Sequence, residues 1–434
     1  MAWVFKLLFR EAASVKYQFP YADFESLEIP DRQLTGVYSI RADGPRLDPQ
    51  QLIAGALANP MGSPRLKDRV RPGMRVLIVV DDNTRTTRTE WMLPAVMAEL
   101  SAAGLAASDI QVFVALGTHR AMTRAEMEQK YTPDLVARHR FIQPNWRDTD
   151  EYVAVVTSGD FPVRIHRELL HADFVIGVGQ TIPHLIAGFG GGCKIINPGC
   201  ADPDTIGRMH WLGSTAADGQ LFAVRDNPVR RVIDEVGLKA GLKFIINEVP
   251  GSDNTLAGVF AGDPIAAHRA ACDFALAACT VNLSELTDIV VADAYPSDRD
   301  FWQAVKGLNA ACGAVLPGGT IILVTPCLEG VCAPHPEVVE TGFRHSPEHV
   351  RQLVDTGQLC PISGIVIWLA ARMLERANVI LVSQGVSAAE TTALGFEYAH
   401  DSAAALALAL RRHGASARIN VLHKTAKMVC SVQS

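Results

Sequence analysis

The amino-acid sequence predicts an α/β protein with two domains, each built on a mostly parallel sheet flanked by helices. Short runs rich in β-branched residues recur along the chain, and each run is apolar throughout, as strands buried on both faces are. Helix signals lie between many of these runs, and this alternation favours parallel sheets. At roughly 150 residues per domain, the 434 residues suffice for two or three domains with substantial cores.

The predicted strands are bounded by polar turn residues, and their short length suits strands better than helices. In chain order they cover 76–80, 110–116, 174–178, 244–247, 289–292, 320–324, 379–382 and 419–422.

Helices are predicted where a capping residue precedes a proline or an apolar stretch. The N-cap side chain accepts a hydrogen bond from a free N–H group of the first turn, and proline suits the first helical position. The clearest predicted helices follow Asn227, Ser346 and Asp401, and end near Gly237, Gly357 and Arg412. Further helices are predicted over 264–279 and 365–374 and after Asp202.

The domain boundary is predicted near 283–287, between the helix 264–279 and the strand 289–292. The two domains would then cover 1–285 and 286–414. Because chain termini often lie close together, residues 415–434, with the last predicted strand, are expected to rejoin the first domain.

Charge and cysteine usage exclude several classes of partner. The formal net charge is −6 and there is no dense run of Lys or Arg, so we expect no nucleic-acid partner. No apolar run approaches the roughly 20 residues that span a bilayer, and we expect no membrane partner. The 9 cysteines are scattered without a Cys-x-x-Cys pair, which indicates reduced thiols and a cytoplasmic protein.

Four polar clusters directly follow predicted strands. They begin at Asp81, Gly117, Gly179 and Asp293. In open parallel sheets, ligands bind outside the carboxyl ends of the strands. Because three clusters belong to the first predicted sheet and one to the second, we expect an active site in the cleft between the domains.

The third cluster contains a glycine-rich loop, with glycines at 188, 190, 191 and 192 before Lys194. Such a loop lets the backbone approach a ligand closely, as phosphate-binding loops do. However, Cys193 precedes the lysine and Ile195 follows it, so the Gly-Lys-Ser/Thr ending of a Walker A loop is absent. A tight strand-to-helix connection is the alternative. The lysine itself would be a phosphate counter-ion or a covalent attachment point for a cofactor.

Histidines and cations accompany these clusters. His119 and His184 follow different strands and would face one crevice, where a neutral imidazole can act as a base, an acid or a metal ligand. Arg85 and Lys306 would bring positive charge from opposite domains, and Gln303 shares a helix face with Lys306. The residues alone therefore point to a carboxylate or phosphate substrate and two candidate bases, and leave the reaction open.

In this combination and order, the motifs resemble the lactate racemase family, whose members use a nickel-pincer nucleotide. The matching residues are Asp82-Asn83-Thr84-Arg85, Gly117-Thr118-His119-Arg120, Pro183-His184, Gly191-Gly192-Cys193-Lys194, His210, Gln303 and Lys306. The most specific element is the segment from His184 to Lys194 with a histidine 16 residues after the lysine. From spacing alone, His210 would be a structural residue.

The resemblance implies a role for each matching residue. Lys194 would carry the covalently attached pyridinium-3,5-bisthiocarboxylic acid mononucleotide, and His210 would be the protein ligand of its nickel. His119 and His184 would be the catalytic bases on opposite sides of the substrate. The remaining implied residues are Asp82, Thr84, Gly191 and Gly192 at the cofactor, and Arg85, Gln303, Lys306 and Trp368 at the substrate.

The implied reaction inverts carbon 2 of a 2-hydroxy acid by reversible hydride transfer through a 2-ketoacid. The first domain would bind the cofactor and the second would close over the substrate, and cofactor biosynthesis enzymes would be partners. Two alternatives stay open: a non-catalytic protein of the same fold that binds an anionic metabolite, and a phosphate-binding ligase or kinase that uses the loop 188–194. Short, aromatic, dicarboxylic and sugar-acid substrates are all compatible with the sequence.

Overall fold

The computed structural model of the protein describes residues 14–40, 48–158, 161–217, 219–251 and 255–432. Within them the predicted α/β class is confirmed: two large sheets, both rich in parallel pairs, are flanked by helices. No helix in these ranges is both long enough and apolar enough to cross a bilayer.

The strands are numbered in chain order. They are β1 Ser14–Tyr17, β2 Leu27–Pro30, β3 Leu34–Ser39, β4 Val76–Asp81, β5 Ile110–Ala115, β6 Arg140–Ile142, β7 Tyr152–Ser158, β8 Phe161–His166, β9 Phe174–Gln180, β10 Pro183–His184, β11 Gly188–Phe189, β12 Leu242–Pro250, β13 Leu256–Gly262, β14 Thr280–Leu283, β15 Thr287–Asp293, β16 Val315–Val324, β17 Asn378–Val382, β18 Glu397–Tyr398, β19 Ile419–His423 and β20 Val429–Val432.

The α-helices are numbered in the same way. They are α1 Pro49–Ala58, α2 Thr89–Ala102, α3 Arg124–Tyr131, α4 Pro133–Arg138, α5 Glu168–His171, α6 Pro203–Trp211, α7 Pro228–Lys239, α8 Ala266–Cys279, α9 Phe301–Cys312, α10 Glu337–Thr341, α11 Pro347–Asp355, α12 Pro361–Arg376, α13 Ala388–Ala393 and α14 Ser402–His413.

The first large sheet has the strand order β13-β12-β9-β4-β5-β6 and is parallel except for β13, which runs antiparallel to β12. Its central strand β4 is buried along its whole length. Val76, Ile78 and Val80 pack in the core beside α1 and α2, whereas Leu77 and Val79 belong to the core that contains α7. Both faces of β4 are therefore covered, which explains why the sequence shows a continuous apolar run rather than an alternating one.

The second large sheet has the strand order β18-β17-β16-β15-β19-β3, and every pair in it is parallel. Each predicted strand of the chain is present, extended by one or more residues or shifted slightly at its ends. The predicted caps are present as well. Asn227, Ser346 and Asp401 accept hydrogen bonds from N–H groups in the first turns of α7, α11 and α14, at 2.8, 3.2 and 2.7 Å.

The last predicted strand does not return to the first sheet. This strand, β19, pairs with β15 on one side and with β3 on the other, within the second sheet. The expectation that 415–434 rejoins the first domain is therefore wrong for this strand, because proximity of the termini is satisfied inside the second sheet instead. The division at 285 stays a prediction.

A buried arginine joins α7 to the glycine-rich loop. The Arg230 side chain is 0% exposed, and its guanidinium donates to the carbonyl oxygens of Ala187, Phe189 and Gly191. Asp234, one turn along α7, lies 3.5 Å from the same guanidinium. Burial lowers the pKa of Arg230, while Asp234 raises it. These contacts fix the backbone of a loop that has little regular structure of its own.

We predict that Arg230→Met destabilises the fold by about 1–3 kcal/mol, because the buried carbonyl of Phe189 loses the guanidinium donor, whereas Ala187 O and Gly191 O keep backbone N–H donors and Asp234 keeps Arg269. Arg231→Met is the matched control, since this neighbouring side chain on α7 is exposed and its loss should change stability by less than about 0.5 kcal/mol. Urea denaturation of both variants measures the difference. Equal midpoints would contradict the role given to Arg230.

Candidate active site

One cavity lies where the carboxyl ends of β4, β5 and β9 face helices α9 and α12. Most of the sequence-predicted site residues line it. They are Asp82, Arg85, His119, His184, Gly191, Lys194, His210, Gln303 and Lys306. The polar residues come from loops after the strands of the first sheet and from α6 and α9, so they meet at the strand edge that parallel α/β sheets use for ligands.

Three predicted residues do not line this cavity. Thr84 donates a hydrogen bond to Asp82, which lines the cavity, and Gly192 packs against the ring of His268. Trp368 lies on another side of α12, where it lines a second, open cavity and its ring lies under the guanidinium of Arg372 at 4.6 Å.

Trp368 lies beside the face of α12 that lines the active-site cavity. Positions 362, 365, 366 and 369 of α12 share one face, and their side chains line the cavity instead. Trp368 lies about 60° around the helix from position 365 and about 160° from position 366, at one side of that face, and it lines the second cavity. Trp368 therefore does not line this cavity, where Trp302 is the aromatic side chain at the wall, and a contact of Trp368 with the substrate stays a prediction.

His119 is held by a buried carboxylate. Its Nδ1 lies 2.7 Å from Asp82 Oδ2. An ionised carboxylate only accepts hydrogen bonds, so Nδ1 carries the proton and Nε2 of the neutral ring keeps its lone pair. Burial opposes the charge on Asp82, but the contacts with His119, Arg85 and Thr84 outweigh it and hold the pKa of this carboxyl well below its usual range.

Thr84 connects this pair to Arg85. Its hydroxyl donates to Asp82 Oδ1 at 2.5 Å and accepts from Arg85 Nη1 at 2.8 Å. The guanidinium is thereby fixed at the cavity wall through a polar chain of three side chains. Thr84 therefore positions both neighbours without facing the cavity itself.

His184 has the opposite arrangement of its ring nitrogens. Its Nδ1 accepts hydrogen bonds from the backbone N–H groups of Ile186 and Ala187, both at 3.2 Å. The neutral ring therefore carries its proton on Nε2. Burial, followed by the charges of Lys194 and His210, holds the pKa of His184 well below its usual range. His184 is thus a neutral N–H donor.

His210 has one ring nitrogen held by the backbone. Its Nδ1 lies 2.7 Å from the carbonyl oxygen of Ile206, one turn back on α6, and therefore donates to it. The lone pair of Nε2 is then available, and metal-binding histidines commonly have their other ring nitrogen held in this way. Burial and the nearby Lys194 lower the pKa of His210 to about 4, so the ring is neutral at pH 7. The rings of His210 and His184 lie 6.4 Å apart between centroids.

Two amines reach the same cavity. Burial, followed by Arg85, Arg230 and Lys306, holds the pKa of Lys194 well below its usual range. Burial and Arg85 lower the pKa of Lys306 to about 7, and its Nζ donates to Gln303 Oε1 at 2.7 Å. The cavity leaves both side chains partly accessible, yet the surrounding protein excludes bulk water and disfavours their charged forms.

The glycine-rich loop is held by side chains that the sequence did not identify. Gly192 N–H donates to Asn247 Oδ1 at 2.7 Å, and His268 Nε2 donates to Gly190 O at 2.8 Å. Gly191 has a φ of 75°, and a Cβ there would lie only 2.5 Å from Thr181 Oγ1. Gly191 and Gly192 are therefore required by close packing within the protein.

One of the missed residues did leave a signal. Arg230 lies among the apolar residues of α7, near Val229 and Ile233, where a solvated arginine is not expected. Asn247 and His268 come from β12 and α8, and no local pattern connects them to the loop.

Comparison with known proteins agrees with this architecture. Residues 22–220 match the lactate racemase N-terminal domain family, and residues 283–430 match the lactate racemase C-terminal domain family. The lactate racemase of Lactiplantibacillus plantarum is 31% identical over 395 residues, which cover 87% of this chain and 90% of that protein. The lactate racemase of Thermoanaerobacterium thermosaccharolyticum is 30% identical over 323 residues, which cover 72% and 75% of the two chains.

Solved structures give the same result. The lactate racemase apoprotein from T. thermosaccharolyticum superposes with a TM-score of 0.84 at 26% identity, over 96% of this chain and 100% of that one. A structural-genomics protein from Thermotoga maritima shares the fold, with a TM-score of 0.70 at 19% identity over 91% and 100% of the chains. From its two family domains and its homologues, this chain belongs to the lactate racemase family and is an isomerase of the racemase type.

Proposed function

We propose that the chain inverts carbon 2 of a 2-hydroxy acid in the cavity between the two sheets, using a nickel-pincer nucleotide attached to Lys194. The observation that carries the proposal is the meeting of His119, His184, Lys194 and His210 at one cavity. A binding protein would not need two imidazoles with complementary protonation beside an uncharged lysine.

The chemistry of the residues fits the proposed cofactor. The lowered pKa of Lys194 favours the neutral, nucleophilic form of its amine, as covalent attachment through a thioamide requires. His210 offers a neutral imidazole with one nitrogen already held by the backbone, as a nickel ligand should. Arg85 and Lys306 provide positive charge for a nucleotide phosphate or a carboxylate. Attachment of the cofactor makes its biosynthesis enzymes partners of this chain.

When bound, the nickel-pincer nucleotide supplies a reversible acceptor for the hydride at carbon 2. The protein supplies binding and proton transfer. Arg85, Lys306 and Gln303 bind the substrate carboxylate and keep carbon 2 at a fixed position. The wall formed by Trp302 and one face of α12 is apolar, which favours a substrate with an apolar side chain over dicarboxylic and sugar acids.

His119 is the better placed of the two proposed bases. Its Nε2 lone pair takes the proton of the 2-hydroxyl, and Asp82 stabilises the resulting imidazolium, as the aspartate of a His-Asp pair does in other enzymes.

His184 acts when the hydroxyl lies on the other side of carbon 2. It first donates its Nε2–H to the substrate oxygen. To serve as a base through Nε2, the ring must carry its proton on Nδ1 instead. Nδ1 then no longer accepts hydrogen bonds from the N–H groups of Ile186 and Ala187. The two directions of the reaction should therefore depend differently on the two histidines.

The phosphate-binding alternative has less support. The N–H groups of Phe189, Gly190, Gly192 and Lys194 already donate to acceptors within the protein. A phosphate cradle needs several such groups directed at the ligand. The loop is better described as a rigid support for His184 and Lys194.

We predict that Lys194→Ala abolishes covalent loading. The full chain is produced together with the cofactor biosynthesis enzymes, and intact mass and nickel content are measured. Wild type and the control Lys239→Ala, an exposed lysine on α7, should carry the adduct. His210→Ala should keep the adduct and lose most of the nickel. An adduct on Lys194→Ala would show that the attachment point is elsewhere.

We predict that His119→Gln and His184→Gln each lower kcat by about 10²–10⁴-fold with normal cofactor loading, the range that general acid–base catalysis contributes. The His184 variant should lie at the lower end, because glutamine still offers an N–H donor. His400→Gln, at a side chain 72% exposed, is the control. Racemisation is followed by chiral chromatography from each enantiomer of apolar 2-hydroxy acids. Unchanged rates in either variant would remove that histidine from the mechanism.

We predict that KM rises with pH above about 7. Lys306 is charged below its pKa of about 7 and binds the substrate carboxylate in that form. Its contribution to substrate affinity is therefore full at lower pH and is lost as the pH rises and the amine loses its proton. Lys306→Arg keeps its charge and should show a flat KM between about pH 6 and 9. A parallel rise of KM in both proteins would place the titration on another group.

A further inference from the structure

A cluster of three metal-binding side chains lies outside the proposed nickel site. His335 Nδ1, Glu337 Oε1 and Cys360 Sγ lie within 4.8 Å of one another. The first two atoms are 3.4 Å apart and the last two are 3.1 Å apart. His335 is buried, Glu337 is half-buried and Cys360 is exposed, so the cluster is anchored in the protein and open to solvent on one side.

We propose that His335, Glu337 and Cys360 bind a Zn²⁺ ion with water as the fourth ligand. Tetrahedral zinc with ligand distances of 2.0–2.3 Å separates its donor atoms by about 3.3–3.7 Å. The two separations of 3.4 and 3.1 Å are close to that range, and the distance between the His335 and Cys360 ligand atoms, within 4.8 Å, can reach it through side-chain movement of the exposed Cys360. One imidazole, one carboxylate and one thiolate match the mixed nitrogen, oxygen and sulfur preference of zinc.

The surroundings support metal binding by orienting these ligands. The Ser363 hydroxyl donates to Glu337 Oε1 at 2.6 Å, and Cys360, the N-cap of α12, places its Sγ 3.1 Å from the same oxygen. The other ring nitrogen of His335, Nε2, lies 3.5 Å from Thr118 Oγ1. Partners of this kind hold metal ligands in orientation in known sites.

The position of the cluster gives the zinc a structural role. The His335 ring stacks on Trp302 with centroids 5.1 Å apart, and Trp302 lines the active-site cavity. Cys360 directly precedes α12, and one face of that helix forms the adjoining wall of the cavity. A zinc ion would therefore tie the start of α12 to the segment behind Trp302 and fix the apolar wall of the cavity. This site is independent of the proposed nickel chemistry.

Zinc binding is tested on the full chain after metal removal, without the nickel cofactor. Zn²⁺ alone is titrated against a chromophoric chelator, and Co²⁺ is then used as a spectroscopic probe. Wild type should bind zinc at this site, and the cobalt form should show a thiolate-to-metal charge-transfer band. Cys360→Ser should abolish the band and weaken this zinc site by more than about 100-fold, beyond the 10–100-fold expected for losing an orienting partner in Ser363→Ala.

Matched variants separate this site from other thiols and from the nickel ligand. Cys430→Ser, whose thiol contacts Ala310 O at the far end of α9, should keep the band and the affinity. His210→Ala should also keep them, whereas His335→Gln should lose zinc affinity as Cys360→Ser does. If wild type shows no charge-transfer band, or if Cys360→Ser and His335→Gln bind zinc like wild type, the cluster is only a hydrogen-bonded group around Glu337 and the proposal is overturned.

Discussion

The active-site cavity depends on one buried guanidinium. Arg230 enters the protein from α7 and donates to three carbonyl groups of the glycine-rich loop. A loop without regular structure leaves many backbone groups unpaired, and burial of unpaired groups is costly. Arg230 supplies donors and His268 supplies another, while Asn247 accepts a loop N–H. The loop can therefore be buried and rigid, and it holds the histidine at its start and the lysine at its end in one place.

A second constraint is the accumulation of positive charge around the cavity. Burial lowers the pKa values of Lys194 and Lys306, and the nearby charge of Arg85 acts in the same direction on both. The protein's net charge of −6 conceals this cationic region. Without an anion present, this environment favours the uncharged forms of the Lys194 and Lys306 amines. The same field keeps His210 neutral, so a site suited to anions becomes suited to a metal and a covalent bond as well.

The sequence predicted the elements whose signals are local. Apolar runs such as 76–80 are visible because both faces of the strand are buried, and the cap at Asn227 is visible because its partner lies three residues away. The convergence of polar clusters at one sheet edge followed from parallel topology. The sequence could not reveal Asn247 or His268, because these side chains reach the loop only through tertiary packing. Trp368, which was chosen by relative position, does not line the cavity, because helical periodicity alone does not fix which side of α12 faces it.

The misassigned last strand also bears on the site. After β19, residues Thr425–Lys427 pack against α9, and the Thr425 hydroxyl donates to Asp293 O beside Gly307, in the middle of that helix. A Cβ at Gly307 would meet Thr425 Oγ1 at 2.8 Å, so α9 and this segment are in close contact. Because Gln303 and Lys306 lie on α9, their position depends on the carboxyl-terminal segment. With β19 in the second sheet, residues near the end of the chain support the substrate side of the cavity, and the first sheet supports the side with His184 and Lys194.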